Sequence, residues 1–139
     1  IQYVANDLTQ LNSDVIRAFK KVYPINVTPN LTDIIKGEVE FYAHCVVKWG
    51  IKLNLWEKVG NIADIGKVEV LFRGSTDTGS PEIKVSNNWY VWRINEPFKD
   101  VGPLKGEHQK AEIGMVISPV HIVHRLRTGK YDFVYPQYQ

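Results

Sequence analysis

The stretch VEFYAHCVVKW, residues 39–49, gives the strongest indication of fold class in the chain. Apolar side chains occupy every second position from Val39 to Trp49, interrupted only at Val46, which is typical of a half-buried β-strand. The alternation continues to Leu55, so the pattern predicts either one long strand bent at Gly50 or two successive strands. On such a strand, His44 is expected on the outward face and Cys45 on the apolar face.

A helical period precedes this strand. Apolar residues recur at steps of three and four between Asn6 and Pro24, at Leu8, Leu11, Val15, Phe19 and Val22. This spacing favours an amphipathic helix that Asn6 or Asp7 can cap and that Pro24 ends.

Alternating apolar residues reappear downstream and predict further strands. They lie around residues 68–72, 83–85, 89–94 and 111–117, separated by turns rich in Gly, Pro, Ser and Asn. An antiparallel meander is the simplest connection between them. Residues 95–109 show no period and are expected to form the longest irregular loop, a kind of segment that often carries function.

The clearest local signature is a short helix near the C-terminal end of the sequence. Ser118 can cap it, Pro119 suits its first position, and Gly129 stands where a C-terminal cap belongs, so residues 119–128 are predicted to be helical. Alternation from Tyr131 to Tyr135 predicts a last strand. The sequence thus predicts one α+β domain over residues 1–139: an N-terminal amphipathic helix packed on a mostly antiparallel sheet or small barrel, with a short C-terminal helix before the last strand.

Composition limits the possible environments and partners. The 139 residues carry 17 Lys and Arg against 15 Asp and Glu, and the net charge of +2 neither requires nor excludes a nucleic-acid partner. No run approaches the about 18 apolar residues of a membrane helix, so no membrane association is expected. Cys45 is the only cysteine, which fits the cytoplasm or another reducing compartment.

Two sequons keep secretion open as an alternative. Asn26-Val27-Thr28 and Asn30-Leu31-Thr32 lie close together in a turn-rich stretch, where chance occurrence is the simpler explanation. The first residue is Ile1 rather than Met, which we interpret as processing or trimming of a longer chain.

The candidate catalytic residues are rich in His and Arg: His108, His121, His124, Arg125 and Arg127. Histidine can transfer protons near neutral pH, and arginine can stabilise a phosphate or another developing anion. On a helix, His121, His124 and Arg125 share the polar side, although any amphipathic helix needs such a side. Because a zinc site normally needs three or four protein ligands, no metal site and no cofactor are predicted.

A second candidate set is aromatic and basic, and it would bind a partner: Trp89, Trp92, Arg93 and Phe98. Trp89 and Trp92 fall on opposite faces of one strand, so a sheet with a one-sided core would expose one of them. Exposed aromatic residues beside arginine can anchor a protein or stack on nucleobases.

Two functions from different classes follow. The sequence favours a non-catalytic protein-interaction or assembly module, a subunit or accessory domain of a larger complex, with a protein partner. The alternative is a small, metal-independent, toxin-like nuclease in which His108, His121 or His124 supply acid and base and Arg125, Arg127 or Lys130 hold phosphate. Nucleic acid is therefore a possible second partner.

Overall fold

The computed structural model describes residues 1–139 and is α+β, with two mostly antiparallel sheets and few helices. The first sheet has the order β1-β2-β3, from strands Gln2–Asp7, Ser13–Phe19 and Val39–Cys45. The second sheet has the order β6-β5-β4-β7, where β4 is Phe72–Ser75, β5 is Trp89–Trp92, β6 is Lys99–Gly102 and β7 is Glu112–Ile113. In it, only the β4–β7 pairing is parallel.

The helices are short. They are α1 (Leu31–Ile35), α2 (Val47–Lys52), α3 (Pro119–Thr128) and a 3₁₀ helix at Gly106–Lys110. No helix has the length and apolar character needed to cross a membrane. The helix over residues 119–128 is confirmed, with Pro119 in its first turn and Gly129 in the left-handed conformation at φ 82°. Ser118 precedes it without making a capping hydrogen bond from its side chain.

The predicted N-terminal helix is wrong, because the chain begins with the antiparallel hairpin β1–β2. Strand β2 is buried on both faces: Val15 and Arg17 lie on one side and Ile16 and Ala18 on the other. A strand covered on both sides has no clean alternation, and its apolar residues can mimic a helical period. Leu11, counted in that period, lies in the hairpin turn with its side chain 85% exposed.

The long strand predicted after Val39 ends at Cys45, where the chain turns into α2. Two distant contacts hold that helix. The Asp14 carboxylate of β2 accepts a hydrogen bond of 2.8 Å from the amide of Val47, and the Trp56 indole donates one of 3.0 Å to the carbonyl of Val47. Gly50 gives the Trp56 ring its space, since a Cβ at position 50 would lie 1.9 Å from it.

His44 is not on an outward face as expected, but is completely buried. Strand β3 is covered on both sides, so its alternation does not separate core from solvent. Phe41 and Cys45 pack in the cluster that includes Ile122 of α3, while the His44 ring lies 4.1 Å from that of Phe72 in the second sheet.

Elsewhere, strand β5 is confirmed and several neighbouring predictions need correction. No barrel forms, since the strands divide into two sheets. The segment 95–109 contains β6 and the start of the 3₁₀ helix rather than one irregular loop. The predicted return strand at 83–85 is reduced to one parallel bridge between Val85 and Gln137, and the predicted last strand at 131–135 does not form.

Candidate functional site

A cluster of His121, His124 and Asp132 lies beside α3, with His121 in its first turn and His124 in its middle. Nδ1 of His121 is 2.5 Å from Oδ1 of Asp132, and Nδ1 of His124 is 3.9 Å from Oδ2 of the same carboxylate. Gly129 makes this possible, because its left-handed backbone reverses the chain and returns Asp132 toward the helix. The three side chains are between 37% and 40% exposed, so the cluster is open to solvent.

This cluster has the elements of an acid–base pair. The hydrogen bond from His121 holds the pKa of Asp132 below its usual value, so the carboxylate is ionised and can orient the imidazole. The Nε2 atoms of His121 and His124 make no hydrogen bond and are available to give or take a proton. Asp132 was not among the predicted catalytic residues, although Gly129 at the predicted C-terminal cap indicates that the chain turns back there.

The other predicted catalytic residues do not join the cluster. Arg125 turns inward, with its guanidinium 4.0 Å from the Phe41 ring centroid and 3.3 Å from the Glu112 carboxylate. These contacts hold the Arg125 guanidinium at the edge of the core, so it does not point toward the His–Asp cluster. His108 lies in the 3₁₀ helix without a hydrogen bond to α3, whereas Arg127 is exposed and forms no ion pair.

The environment of Glu112 is also structural. Burial raises the pKa of Glu112, an effect that the charge of Arg125 opposes. One Glu112 oxygen also accepts a hydrogen bond of 3.4 Å from the amide of Tyr42, so this carboxyl links β7 to β3. No three His, Cys, Asp or Glu side chains anywhere in the chain are placed to hold one metal ion.

The aromatic set does not form the expected surface. Trp89 and Trp92 are 1% and 3% exposed, because β5 is covered on both faces. Trp89 packs against Tyr135 near the C-terminal end, and Trp92 packs against Phe72 and His44. The exposed members are Arg93 and Phe98. The Phe98 ring packs edge-on against Trp92, with 4.7 Å between the ring centroids.

Asp7 is the centre of a buried polar cluster that the sequence analysis did not single out. Its Oδ2 accepts hydrogen bonds of 2.9 Å from Nε2 of His44 and from the Trp92 indole. Its Oδ1 accepts two more from the amides of Asn95 and Thr9, at 2.9 and 3.0 Å. Asp7 and His44 are entirely shielded from solvent, so this cluster joins β1, β3 and β5 but cannot contact a substrate.

A cleft lined mainly by apolar side chains is bordered by β1, α1, α2 and residues 56–62, and we call it the apolar cleft. It encloses about 240 Å³, and 11 of its 16 lining residues are hydrophobic, among them Tyr3, Leu31, Ile34, Ile51, Val59 and Ile62. A more open hollow of about 670 Å³ adjoins it and contains the exposed Leu11. Tyr3, Val47 and Ile51 line both and form the ridge between them.

Large apolar side chains remain in contact with solvent around this cleft. Tyr3, Ile51 and Val59 are 48%, 45% and 72% exposed, and Trp49 and Leu53 of the α2 region are 46% and 51% exposed. Residues 47–52 were predicted to continue a strand, on which Val47 and Ile51 share a face but lie far apart. Because the two residues share a face on a helix as well, their spacing alone does not indicate the cleft.

The geometry thus offers an exposed His–Asp cluster and an apolar cleft. Compared with known protein families, with curated proteins and with solved structures, the chain has no significant match.

Proposed function

We propose that this chain is a protein-interaction module that binds an apolar segment of a partner protein in the apolar cleft. The observation that carries the proposal is the cleft itself, with exposed Tyr3, Ile51 and Val59 on its walls. Binding sites on proteins are typically concave and lined mainly by apolar side chains, and this cleft has both properties.

The cleft differs from the scattered apolar residues elsewhere on the surface. It is concave, so an inserted side chain is surrounded and can lose most of its contact with water. Burying one Leu or Ile side chain contributes about 1.5–3 kcal/mol, which makes such pockets the places where a few anchors dominate binding.

The interaction is tested by panning a library of displayed random peptides on the immobilised full chain. We expect enriched peptides to bind the wild type and to lose most of their affinity for Ile51→Asp, since that change puts a charge on the ridge of the cleft. Leu126→Asp is the matched control, because Leu126 on α3 is 46% exposed against 45% for Ile51 and lines neither the cleft nor the adjoining hollow.

Thermal unfolding of both variants separates loss of binding from loss of folding. If Ile51→Asp unfolds like the control and still binds every enriched peptide, the cleft is not the binding site. If panning enriches no peptide whose binding depends on Ile51, the proposed function is wrong.

A second candidate function, a small metal-independent nuclease, rests on the His121–Asp132–His124 cluster. An imidazole oriented by a carboxylate can serve as a general base, and a second imidazole as the acid. Arg127 and Lys130 are exposed near the end of α3 and supply positive charge for phosphate, whereas the inward-facing Arg125 does not.

Hydrolysis of a fluorogenic RNA tests this candidate. Acid–base catalysis by the cluster predicts a loss of about 10²-fold or more in His121→Ala and Asp132→Asn. The His108→Ala variant should retain full activity, because His108 lies outside the cluster. Absence of activity in the wild type, or equal activity in all variants, removes the nuclease from consideration.

A further inference from the structure

The apolar cleft is bordered by lysines that have no carboxylate partner in the chain. Lys58 lines the cleft and Lys48 lines the adjoining hollow. Lys52 lines neither, but it follows Lys48 by one turn on α2, with its ammonium 4.9 Å from the ring centroid of the exposed Trp49. All three side chains are exposed, and none takes part in an ion pair.

The acidic residues beside the cleft do not neutralise these lysines by contact. Asp14 lines the adjoining hollow, but its carboxylate accepts hydrogen bonds from the Val47 amide and from the Asn6 side chain at 2.8 and 3.2 Å. Glu57 is the only acidic residue lining the cleft itself. Helix α2 contains two lysines and no acidic residue, so the helix that forms one wall is positively charged.

The shape of the surface sets a second requirement. The ridge of Tyr3, Val47 and Ile51 separates the cleft from the adjoining hollow, so one apolar side chain can enter the cleft and a second can enter the hollow. One extended or helical segment can supply two such anchors, as peptides do in other apolar grooves.

We infer that the occupant is an acidic amphipathic segment of a partner protein, with two apolar anchors in the two hollows and Asp or Glu residues facing Lys48, Lys52 and Lys58. This inference rests on the proposed function and specifies the chemistry of the partner. The anchors provide most of the affinity, and the carboxylates provide selectivity and faster association.

The test uses peptides enriched on the full chain, synthesised with a fluorescent label and titrated by anisotropy. We expect these peptides to combine at least two apolar residues with an excess of Asp and Glu. A variant with Lys48→Gln, Lys52→Gln and Lys58→Gln should bind them about tenfold more weakly, and added salt should weaken the wild type far more than this variant.

A charge-matched control keeps the test specific. Lys84→Gln, Lys99→Gln and Lys105→Gln remove three exposed lysines that line neither hollow, and this variant should bind like the wild type. All six positions are exposed, so both variants are expected to fold, and thermal unfolding verifies it.

The outcomes distinguish the two proposals. If enriched peptides depend on Ile51 but carry no acidic excess, or bind both triple variants equally, the partner chemistry is wrong and the interaction module stands. If no peptide depends on Ile51 and the wild type instead binds vesicles containing phosphatidylglycerol, the surface recognises lipid, and both proposals fail.

Discussion

Nε2 of His44 lies 2.9 Å from Oδ2 of Asp7, and both side chains are fully buried between the two sheets. The Asp7 carboxylate also accepts hydrogen bonds from the Trp92 indole and from the amides of Asn95 and Thr9, so both of its oxygens have hydrogen-bond partners. One side chain thereby connects three strands of two different sheets. A buried charge with this many donors specifies one arrangement of the sheets, because any shift leaves it without partners.

Asp7→Ala is expected to lower the free energy of unfolding by about 3–5 kcal/mol, since it leaves His44 and the Trp92 indole buried without a partner. Urea denaturation followed by fluorescence measures the change. Asp100→Ala in β6 is the control, because Asp100 is exposed and makes no hydrogen bond through its side chain. Equal denaturation midpoints for the two variants would contradict the role assigned to Asp7.

Acid should destabilise the fold in two stages. Burial lowers the pKa of His44 below its ordinary 6.5, although Asp7 opposes the shift. The neutral His44 therefore contributes its full stability above pH 6.5, and this stability is lost as the pH falls below 6.5. Burial alone would raise the pKa of Asp7, but its hydrogen bonds, led by that from Asn95, outweigh burial and hold the pKa below 3.8. The stability that Asp7 contributes is therefore lost only at still lower pH.

Denaturation midpoints measured between pH 7.5 and pH 3 check this order. In His44→Gln the first decrease, just below pH 6.5, should be smaller than in the wild type, while the second decrease remains. A wild-type midpoint that rises on acidification from pH 7 to pH 5.5 would mean that His44 is protonated in the folded state.

Gly50→Ala should destabilise the chain by about 1–3 kcal/mol through overpacking. The new methyl group would lie 1.9 Å from the Trp56 ring, so the ring must move and its hydrogen bond to Val47 is lost. Lys48→Ala, at an exposed position of the same helix, should have little effect on stability. A Gly50→Ala variant as stable as Lys48→Ala, with unchanged tryptophan fluorescence, would refute this packing.

Asp14→Ala should cost about 0.5–2 kcal/mol, the usual effect of removing a helix cap. Val46, at the cap position of α2, makes no capping hydrogen bond from its side chain, and the Asp14 carboxylate bonds the Val47 amide instead. Hydrogen exchange at residues 47–52 should accelerate more than exchange in β2. Equal acceleration in the two elements would indicate a general loss of stability rather than a lost cap.

The parts of the fold that sequence reasoning predicted depend on neighbours in the chain. Helix α3 is recognisable from Pro119 and Gly129, and β5 from its aromatic and β-branched residues, because these signals act within one turn or one strand. The N-terminal helix and the strand through Gly50 were wrong because both assignments assumed elements with one polar face. Strands β2 and β3 have no such face, and α2 depends on Asp14 and Trp56.

The candidate sites follow the same division. Sequence alone placed His121 and His124 on the polar side of a capped helix. These two residues are the acid and base of the second candidate function. Only the tertiary structure brought Asp132 to them, withdrew Arg125 toward Phe41, and buried Trp89 and Trp92. It also formed the apolar cleft from segments as far apart in sequence as Tyr3 and Ile62, because surface shape and burial depend on contacts between distant residues that no local pattern records.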